Sequence, residues 1–150
     1  VLIDKGDMWE KYHSDITRTA YFGTACEEFL KIWHIVRQAR DAAIEKAGPS
    51  IPCELVDKAA RDVIEKEGYG PCFTHRTGHG LGLDIHEMPY LVRGNKEVLE
   101  PGNVVTIEPG IYLPGKFGVR IEEDIVITET GRQIFSRNPE NPVIIEDLSL

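Results

Sequence analysis

Acidic residues that lie inside short, apolar, β-branched segments constrain this chain more than any other feature. Asp4 ends the run Val-Leu-Ile, Asp15 precedes Ile-Thr-Arg-Thr, Glu108 follows Val-Val-Thr-Ile, Glu122 follows Gly-Val-Arg-Ile, and His79 lies within Thr-Gly-His-Gly. Such segments are typical of strands, and a buried charge is costly unless it is paired or binds a metal. A single residue of this kind would indicate a salt bridge. Four carboxylates and a histidine together indicate a shared metal site.

The first 22 residues predict a hairpin, or two neighbouring strands with a longer turn. Residues 1–3 (Val-Leu-Ile) are typical of a buried strand, and residues 16–22 are rich in β-branched and aromatic side chains. We expect residues 5–7 (Lys-Gly-Asp) to form the turn between them.

Two amphipathic helices are expected next. Thr24 and Glu27 match a capping box, which predicts a first helix from there to about Ala47. A second helix is expected between Pro52 and Gly68. The predicted apolar positions recur at helical spacing: Phe29, Ile32, Trp33, Val36, Ala43 and Ala47 in the first helix, and Leu55, Val56, Ala59, Ala60, Val63 and Ile64 in the second.

From Cys72 onward the pattern changes to short strands separated by glycine. Strands are predicted at 104–109, 119–128 and 133–136. Two helices against a curved, mainly antiparallel sheet make an α+β fold. The glycine-dense segment 75–82 lacks the lysine and the following helix of a phosphate loop, and we expect its glycines to let the backbone approach the metals closely.

Composition limits the remaining classes. The chain has 150 residues and a net charge of -8, which suits one domain and argues against a nucleic-acid partner. No apolar run approaches the ~20 residues of a membrane span, so no membrane partner is expected. The three cysteines show no metal-ligand spacing, and we expect reduced thiols in a cytoplasmic protein.

Five motifs in order resemble those of the prolidase and Xaa-Pro aminopeptidase branch of the pita-bread metallopeptidases. They are Val-Leu-Ile-Asp-Lys-Gly, Ser-Asp-Ile-Thr-Arg-Thr, His-Arg-Thr-Gly-His-Gly-Leu-Gly-Leu-Asp-Ile-His-Glu, Thr-Ile-Glu-Pro-Gly-Ile-Tyr and Gly-Val-Arg-Ile-Glu-Glu-Asp. The resemblance covers essentially the whole chain. It implies the pita-bread fold, with residues 1–150 as the C-terminal portion of a catalytic domain whose first half is missing.

The resemblance also implies a ligand set of Asp4, Asp15, His79, Glu108 and Glu122 for two divalent metal ions. Asp15 and Glu122 would bridge the two ions. Four carboxylates with one imidazole suit Mn or Co, with Zn or Fe as alternatives.

Roles for four residues follow from the same resemblance. Glu108 would carry a proton from water to the leaving nitrogen, and His86 and His75 would be catalytic, with His86 also contacting substrate. A strand histidine and a loop histidine are the plainer interpretations of these two. Arg120 would either bind the substrate carboxylate or neutralise an acid of the site.

The implied activity is hydrolysis of the bond before proline in a peptide with proline second, by a homodimeric parent. Glu108 and Glu122 lie 14 positions apart, which favours this branch over the methionine aminopeptidases that share its fold and ligands. A catalytically silent pita-bread binding module is the alternative of another class. The sequence leaves dipeptidase and aminopeptidase activity both open.

Overall fold

The computed structural model describes residues 1–136 and 140–146. Two α-helices, α1 (Glu27–Lys46) and α2 (Cys53–Lys66), occur in those residues and are followed by a 3-10 turn at Gly70–Cys72. The strands in chain order are β1 (Leu2–Trp9), β2 (Tyr12–Phe22), β3 (Gly78–Gly80), β4 (Glu87–Leu91), β5 (Val104–Ile107), β6 (Gly110–Leu113), β7 (Phe117–Arg120), β8 (Glu123–Thr128), β9 (Gly131–Ile134) and β10 (Val143–Ile145).

The described strands form three sheets. Five strands in the order β4-β3-β5-β8-β9 pair antiparallel throughout, and β6 pairs with β7 in a separate ribbon. The third sheet has the order β1-β2-β10, in which β10 runs parallel to β2. The expected α+β class with a mainly antiparallel arrangement is therefore confirmed.

The two helices pack against the five-stranded sheet and the β6–β7 ribbon and supply much of the core. All six predicted apolar positions of α1 and its C-cap are buried, and α1 lies against β5, β6 and β7. In α2, Val56, Ala60 and Ile64 are buried while Leu55, Ala59 and Val63 are half-buried. Full burial of a large aliphatic or aromatic side chain contributes about 1.5–3 kcal/mol, so this face fixes both helices to the sheets. Neither α1 nor α2 is long and apolar enough to cross a membrane.

The hairpin β1–β2 differs from the sequence prediction. Its turn lies at Glu10 and Lys11, which both have positive φ, and the expected turn at 5–7 lies inside β1. Val1 and Ile3 are 68% and 54% exposed, so the predicted burial of residues 1–3 was wrong. The reason is that β1 is an edge strand, where β-branched residues are accepted without full burial.

The helix boundaries were predicted with one error. Helix α1 begins at Glu27 with Cys26 as N-cap and no side-chain cap hydrogen bond, so the capping box at Thr24 was wrong. Glu27 and Glu28 instead place negative charge at the positive end of the helix dipole. Helix α2 ends as predicted before Gly68, whose φ of 85° is one that glycine adopts readily.

The predicted strand at 119–128 is interrupted at Ile121 and Glu122. Before the interruption β7 pairs with β6, and after it β8 pairs with β5 and β9. The Glu122 N–H donates to the Thr17 carbonyl at 3.2 Å. The interruption therefore connects the ribbon, the five-stranded sheet and β2 at one residue.

Strand β3 is held very close to its neighbours. A Cβ added to Gly78 would lie 1.8 Å from the Thr106 carbonyl oxygen, and one added to Gly80 would lie 2.2 Å from the Met88 carbonyl oxygen. These glycines thus allow the flanking strands to lie close to β3. The sequence had led us to expect a different role for them, close approach of the backbone to the metals.

We expect Gly78→Ala to lower the free energy of unfolding by at least the ~1–3 kcal/mol typical of overpacking, because the clash is with backbone. Gly131→Ala is the matched control, since a Cβ there meets nothing within 4 Å and should change stability by less than about 0.5 kcal/mol. Urea denaturation of both variants measures the difference. Equal stability of the two variants would contradict the packing described for β3.

Candidate metal centre

The five predicted ligands line a single cavity of about 510 Å³. Asp4 and Asp15 come from the paired strands β1 and β2, and His79 from the centre of β3. Glu108 directly follows β5, and Glu122 lies in the interruption between β7 and β8. The ends and edges of different strands therefore converge on one space.

The ligand atoms form overlapping groups in which all atoms lie within 4.8 Å of one another. The groups are Asp4, Asp15 and Glu122; His79, Glu108 and Glu122; and Asp15, His79 and His86. The His79 Nε2 lies 3.3 Å from Glu108 Oε1 and 3.9 Å from Asp15 Oδ2. Asp15, His79 and Glu122 each belong to two of these groups, so the three groups form one continuous cluster.

Hydrogen bonds fix the orientation of the ligands. The Thr17 hydroxyl donates to Glu122 Oε2 at 2.6 Å, and the Asp15 N–H donates to Asp124 Oδ2 at 3.0 Å. The His79 Nδ1 lies 3.0 Å from the Gly80 carbonyl oxygen. Because a carbonyl only accepts, Nδ1 carries the proton and the Nε2 lone pair faces the cavity, as metal ligation requires.

Thr106 links His79 to Glu108. Its hydroxyl accepts from the His79 N–H at 3.1 Å and donates to Glu108 Oε1 at 3.4 Å. The Glu108 N–H in turn donates to the Thr77 carbonyl at 2.7 Å. Neighbouring strands thus hold these two ligands at both backbone and side chain.

Burial perturbs the acids and the histidine in opposite directions. It raises the pKa of Glu108 to about 7, an effect that the charges of Arg120 and Arg76 oppose. Burial, and then the charge of Glu108, raise the pKa of Glu122 to about 8. Burial lowers the pKa of His79 to about 4. The site therefore holds a neutral imidazole beside closely spaced carboxyl groups, a donor set that suits a divalent cation.

The two other predicted histidines lie in the same cavity but differ in their contacts. His86 is exposed at a bend before β4, and its ring meets the His79 ring edge-on with centroids 4.4 Å apart. His75 is half-buried, with Nδ1 2.7 Å from the Arg76 carbonyl oxygen and Nε2 2.7 Å from the Tyr112 hydroxyl. Both ring nitrogens of His75 are therefore engaged.

Arg120 lies beside the ligands without sharing a strand with Glu122. Its guanidinium pairs with the Asp4 carboxylate and donates to Thr17 Oγ1 at 3.0 Å and to the Tyr112 hydroxyl at 3.2 Å. Of the two roles that the sequence left open, neutralisation of an acid agrees with these contacts.

Sequence reasoning missed a buried network beneath the cavity. Asp57 of α2 is 1% exposed and accepts from the Thr77 N–H at 3.2 Å and from the Thr77 hydroxyl at 2.8 Å. Arg61 donates to Asp57 at 2.7 Å and to the carbonyls of Phe73 and His75. The network anchors the segment that carries His75 and leads into His79. Its signal in the sequence was an acid and an arginine four residues apart next to an apolar helix face.

The family model described as metallopeptidase family M24 matches residues 1–129 of this chain. An Xaa-Pro dipeptidase of Lactobacillus helveticus is 47% identical over 145 residues, which are 97% of this chain and 39% of that protein. The chain is thus similar in sequence to one part of a longer enzyme.

Solved structures agree with this similarity. A prolidase from Thermococcus sibiricus superposes with a TM-score of 0.93 at 46% identity, covering 96% of this chain and 39% of that chain. An X-Pro aminopeptidase from Thermotoga maritima gives 0.92 at 40% identity, with coverage of 96% and 40%. The pita-bread fold is confirmed, and the chain spans about two-fifths of the length of these proteins.

The raised pKa values of Glu108 and Glu122 predict how the stability of the metal-free protein depends on pH. A carboxyl whose pKa is higher in the folded than in the unfolded state contributes stability at low pH and loses it as pH rises through the folded value. Glu108 and Glu122 have folded values of about 7 and about 8. The lowered pKa of His79 has the opposite effect on stability, but only up to pH ~6.5, the pKa of histidine in the unfolded state. Above that pH, His79 is neutral in both states and no longer offsets the loss of stability caused by the two carboxyls. The metal-free protein should therefore lose stability between about pH 6.5 and pH 8.

Added Mn²⁺ should reverse this loss, because it stabilises the ionised ligands of the folded state. At a concentration of 100 times Kd the gain should be about 2.7 kcal/mol, and it should be larger at pH 8 than at pH 6.5. Urea titrations in EDTA and in Mn²⁺ measure both effects. Glu122→Gln should flatten the pH dependence. An unchanged midpoint at saturating Mn²⁺ would count against a metal centre.

Proposed function

Because the chain belongs to metallopeptidase family M24, we propose that it supplies the metal centre of an exopeptidase that hydrolyses the peptide bond before proline. The observation that carries this proposal is the convergence of four carboxylates and one imidazole on one cavity. The names of the similar proteins, Xaa-Pro dipeptidase, prolidase and X-Pro aminopeptidase, support proline as the second residue of the substrate.

The donor set fits two divalent ions. Oxygen-rich ligation with one imidazole suits hard or borderline metals, with Mn or Co in first place and Zn or Fe as alternatives. Asp15 and Glu122 would be shared by both ions, Asp4 would complete one site, and His79 with Glu108 would complete the other. Such ions, when bound, lower the pKa of a water and polarise the scissile carbonyl.

Glu108 is suited to moving the proton. Its side chain is 14% exposed, so it borders both the ligand cluster and the open cavity. Burial raises its pKa to about 7, where a carboxyl can both accept and release a proton near neutral pH. We propose that Glu108 accepts the proton of the attacking water and delivers it to the proline nitrogen, which as a tertiary amide has no proton of its own.

His75 and His86 are suited to different roles in this reaction. His75 has both ring nitrogens engaged, by Arg76 and Tyr112, so it is suited to positioning. In residues 1–136 and 140–146, no group is hydrogen-bonded to the ring of His86, which lines the cavity. We therefore assign to His86 the donation of a hydrogen bond to the oxyanion of the tetrahedral intermediate. The dimeric state and the cytoplasmic location stay predictions from the sequence.

The specificity can be tested with the full-length gene product, stripped of metal and reloaded with Mn²⁺ or Co²⁺. Ala-Pro should be hydrolysed and Met-Ala-Ser should not, and EDTA should abolish the activity. Glu108→Gln should lower kcat by about 10²–10⁴, the usual contribution of general acid–base catalysis. Comparable turnover of Met-Ala-Ser would instead assign a methionine aminopeptidase activity to the protein. Metal binding without hydrolysis of either peptide would favour a silent binding module.

The role of His86 has a separate test. His86→Ala should lower kcat for Ala-Pro by about 10²–10³, as for loss of an oxyanion donor, with metal content measured by atomic absorption unchanged. His34→Ala is the control, because His34 is exposed on α1 and does not line the cavity. A His86→Ala enzyme with normal kcat would remove this residue from the mechanism, and one that has lost metal would make it a ligand.

A further inference from the structure

His86 lines the cavity from a connection that contains neither helix nor strand. This connection, the 81–86 segment, joins β3 to β4, and its residues 83–86 are exposed. Among the described residues, none is hydrogen-bonded to the His86 ring, which meets the His79 ring edge-on. The direction of the His86 ring therefore depends on how the backbone of the 81–86 segment is held.

The carboxylate of Glu87 closes the 81–86 segment from within. Glu87 is the first residue of β4 and pairs with Gly80 of β3, so the two ends of the segment are adjacent. The Asp84 N–H donates to Glu87 Oε2 at 3.1 Å, and the Asp84 carbonyl accepts from the Gly82 N–H at 3.2 Å. Asp84, in the middle of the segment, is thus held at both its N–H and its carbonyl.

Gly82 provides the space that this carboxylate occupies. A Cβ added to Gly82 would lie 2.6 Å from Glu87 Oε1 and 3.0 Å from Glu87 Cδ. The side chain of Glu87 therefore lies directly against the Gly82 backbone, a close approach that a residue without a Cβ permits. A larger residue at this position would displace the carboxylate.

The hairpin β1–β2 supports the same segment from outside. The His13 N–H of β2 donates to the Gly82 carbonyl at 2.9 Å. A Cβ added to Gly6 of β1 would lie 3.6 Å from Ile85 Cδ1, so the Ile85 side chain lies against that strand. The hairpin thus holds two points of the segment, and the contact of Glu87 holds the backbone between them.

We propose that Glu87 is the positioning residue of His86. Its carboxylate, seated on Gly82 and bonded to the Asp84 N–H, fixes the backbone that directs the His86 ring into the cavity. This inference rests on the proposed role of His86 in hydrolysis and adds the group that orients it. Glu87 does not line the cavity, so it acts through His86 and not on the substrate.

The kinetic test measures kcat and KM for Ala-Pro with the full-length gene product loaded with Mn²⁺. Glu87→Ala should lower kcat by about 10- to 100-fold, since a group displaced by ~1 Å can cost about 10²-fold. Its KM should change by less than about twofold, and its metal content should be unchanged. Glu87→Gln should keep kcat within about threefold of native, because the amide oxygen still accepts a hydrogen bond. Gly82→Ala should have the effect of Glu87→Ala, since it displaces the same carboxylate.

A double-mutant cycle separates positioning of His86 from a general weakening of the fold. In the His86→Ala background, Glu87→Ala should lower kcat by less than a further factor of about two, because the group that it orients is gone. Asn103→Ala is the matched control. Asn103 Oδ1 accepts from the Glu100 N–H at 2.8 Å, with the same separation of three residues, and Asn103 does not line the cavity. This variant should leave kcat and KM unchanged.

Three results would overturn the inference while the proposed hydrolysis stands. The first is a normal kcat in Glu87→Ala. The second is an equal fall in kcat with and without His86, which would show that Glu87 acts independently of that residue. The third is loss of metal from Glu87→Ala, which would show that the substitution disturbs the ligands.

Limited proteolysis separates the two proposals if no Xaa-Pro peptide is cleaved, a result that would overturn the proposed function alone. Chymotrypsin cleavage after Leu83, which is 59% exposed, reports opening of the 81–86 segment, and cleavage after Trp9, which is 80% exposed, is the internal reference. Relative to that reference, Glu87→Ala should speed cleavage after Leu83 by about 10-fold, as expected when one hydrogen bond to a charged group is lost. Equal cleavage of the native protein and Glu87→Ala would overturn the assignment of Glu87.

Discussion

The structure depends on holding like charges together where water is scarce. Glu122 and Asp15 are buried within one small space. Burial raises the pKa of each, and the charges of Glu108 on Glu122 and of Asp4 on Asp15 raise these pKa values further. Strand pairing around the cavity opposes this repulsion at several backbone positions, among them the contact of the Glu122 N–H with the Thr17 carbonyl. A cation in the cavity would relieve the repulsion, so the same feature that weakens the fold creates the affinity for metal.

The convergence of the five proposed ligands on one cavity could be predicted because each lies in a short motif whose apolar neighbours mark it as a strand residue. The buried apolar faces of α1 and α2 could equally be predicted from the helical spacing of their apolar residues. The hairpin turn was not, because Glu10 and Lys11 carry none of the glycine, asparagine or proline that usually indicates a turn. The predicted burial of residues 1–3 was wrong for another reason, since local sequence does not distinguish an edge strand from a central one.

The supporting residues were beyond sequence reasoning because their roles arise only from tertiary contacts. Asp57 and Arg61 look like an ordinary surface pair on a helix, yet they anchor the loop that carries His75. The two cavity arginines could not be told apart either. They are distinguished by their contacts in the structure, that of Arg120 with Asp4 and that of Arg76 with the Tyr90 ring.

The spread of the ligands along the chain has a consequence for how folding and metal uptake are ordered. Asp4 lies on the first strand and Glu122 after the seventh, so the full site exists only after the longest-range contacts have closed. Contacts of this kind form late and slow the folding of a domain. An ion that requires all five groups cannot act as a nucleus for the chain. It should leave the folding rate nearly unaltered and slow the unfolding rate, which makes the metal a source of kinetic stability.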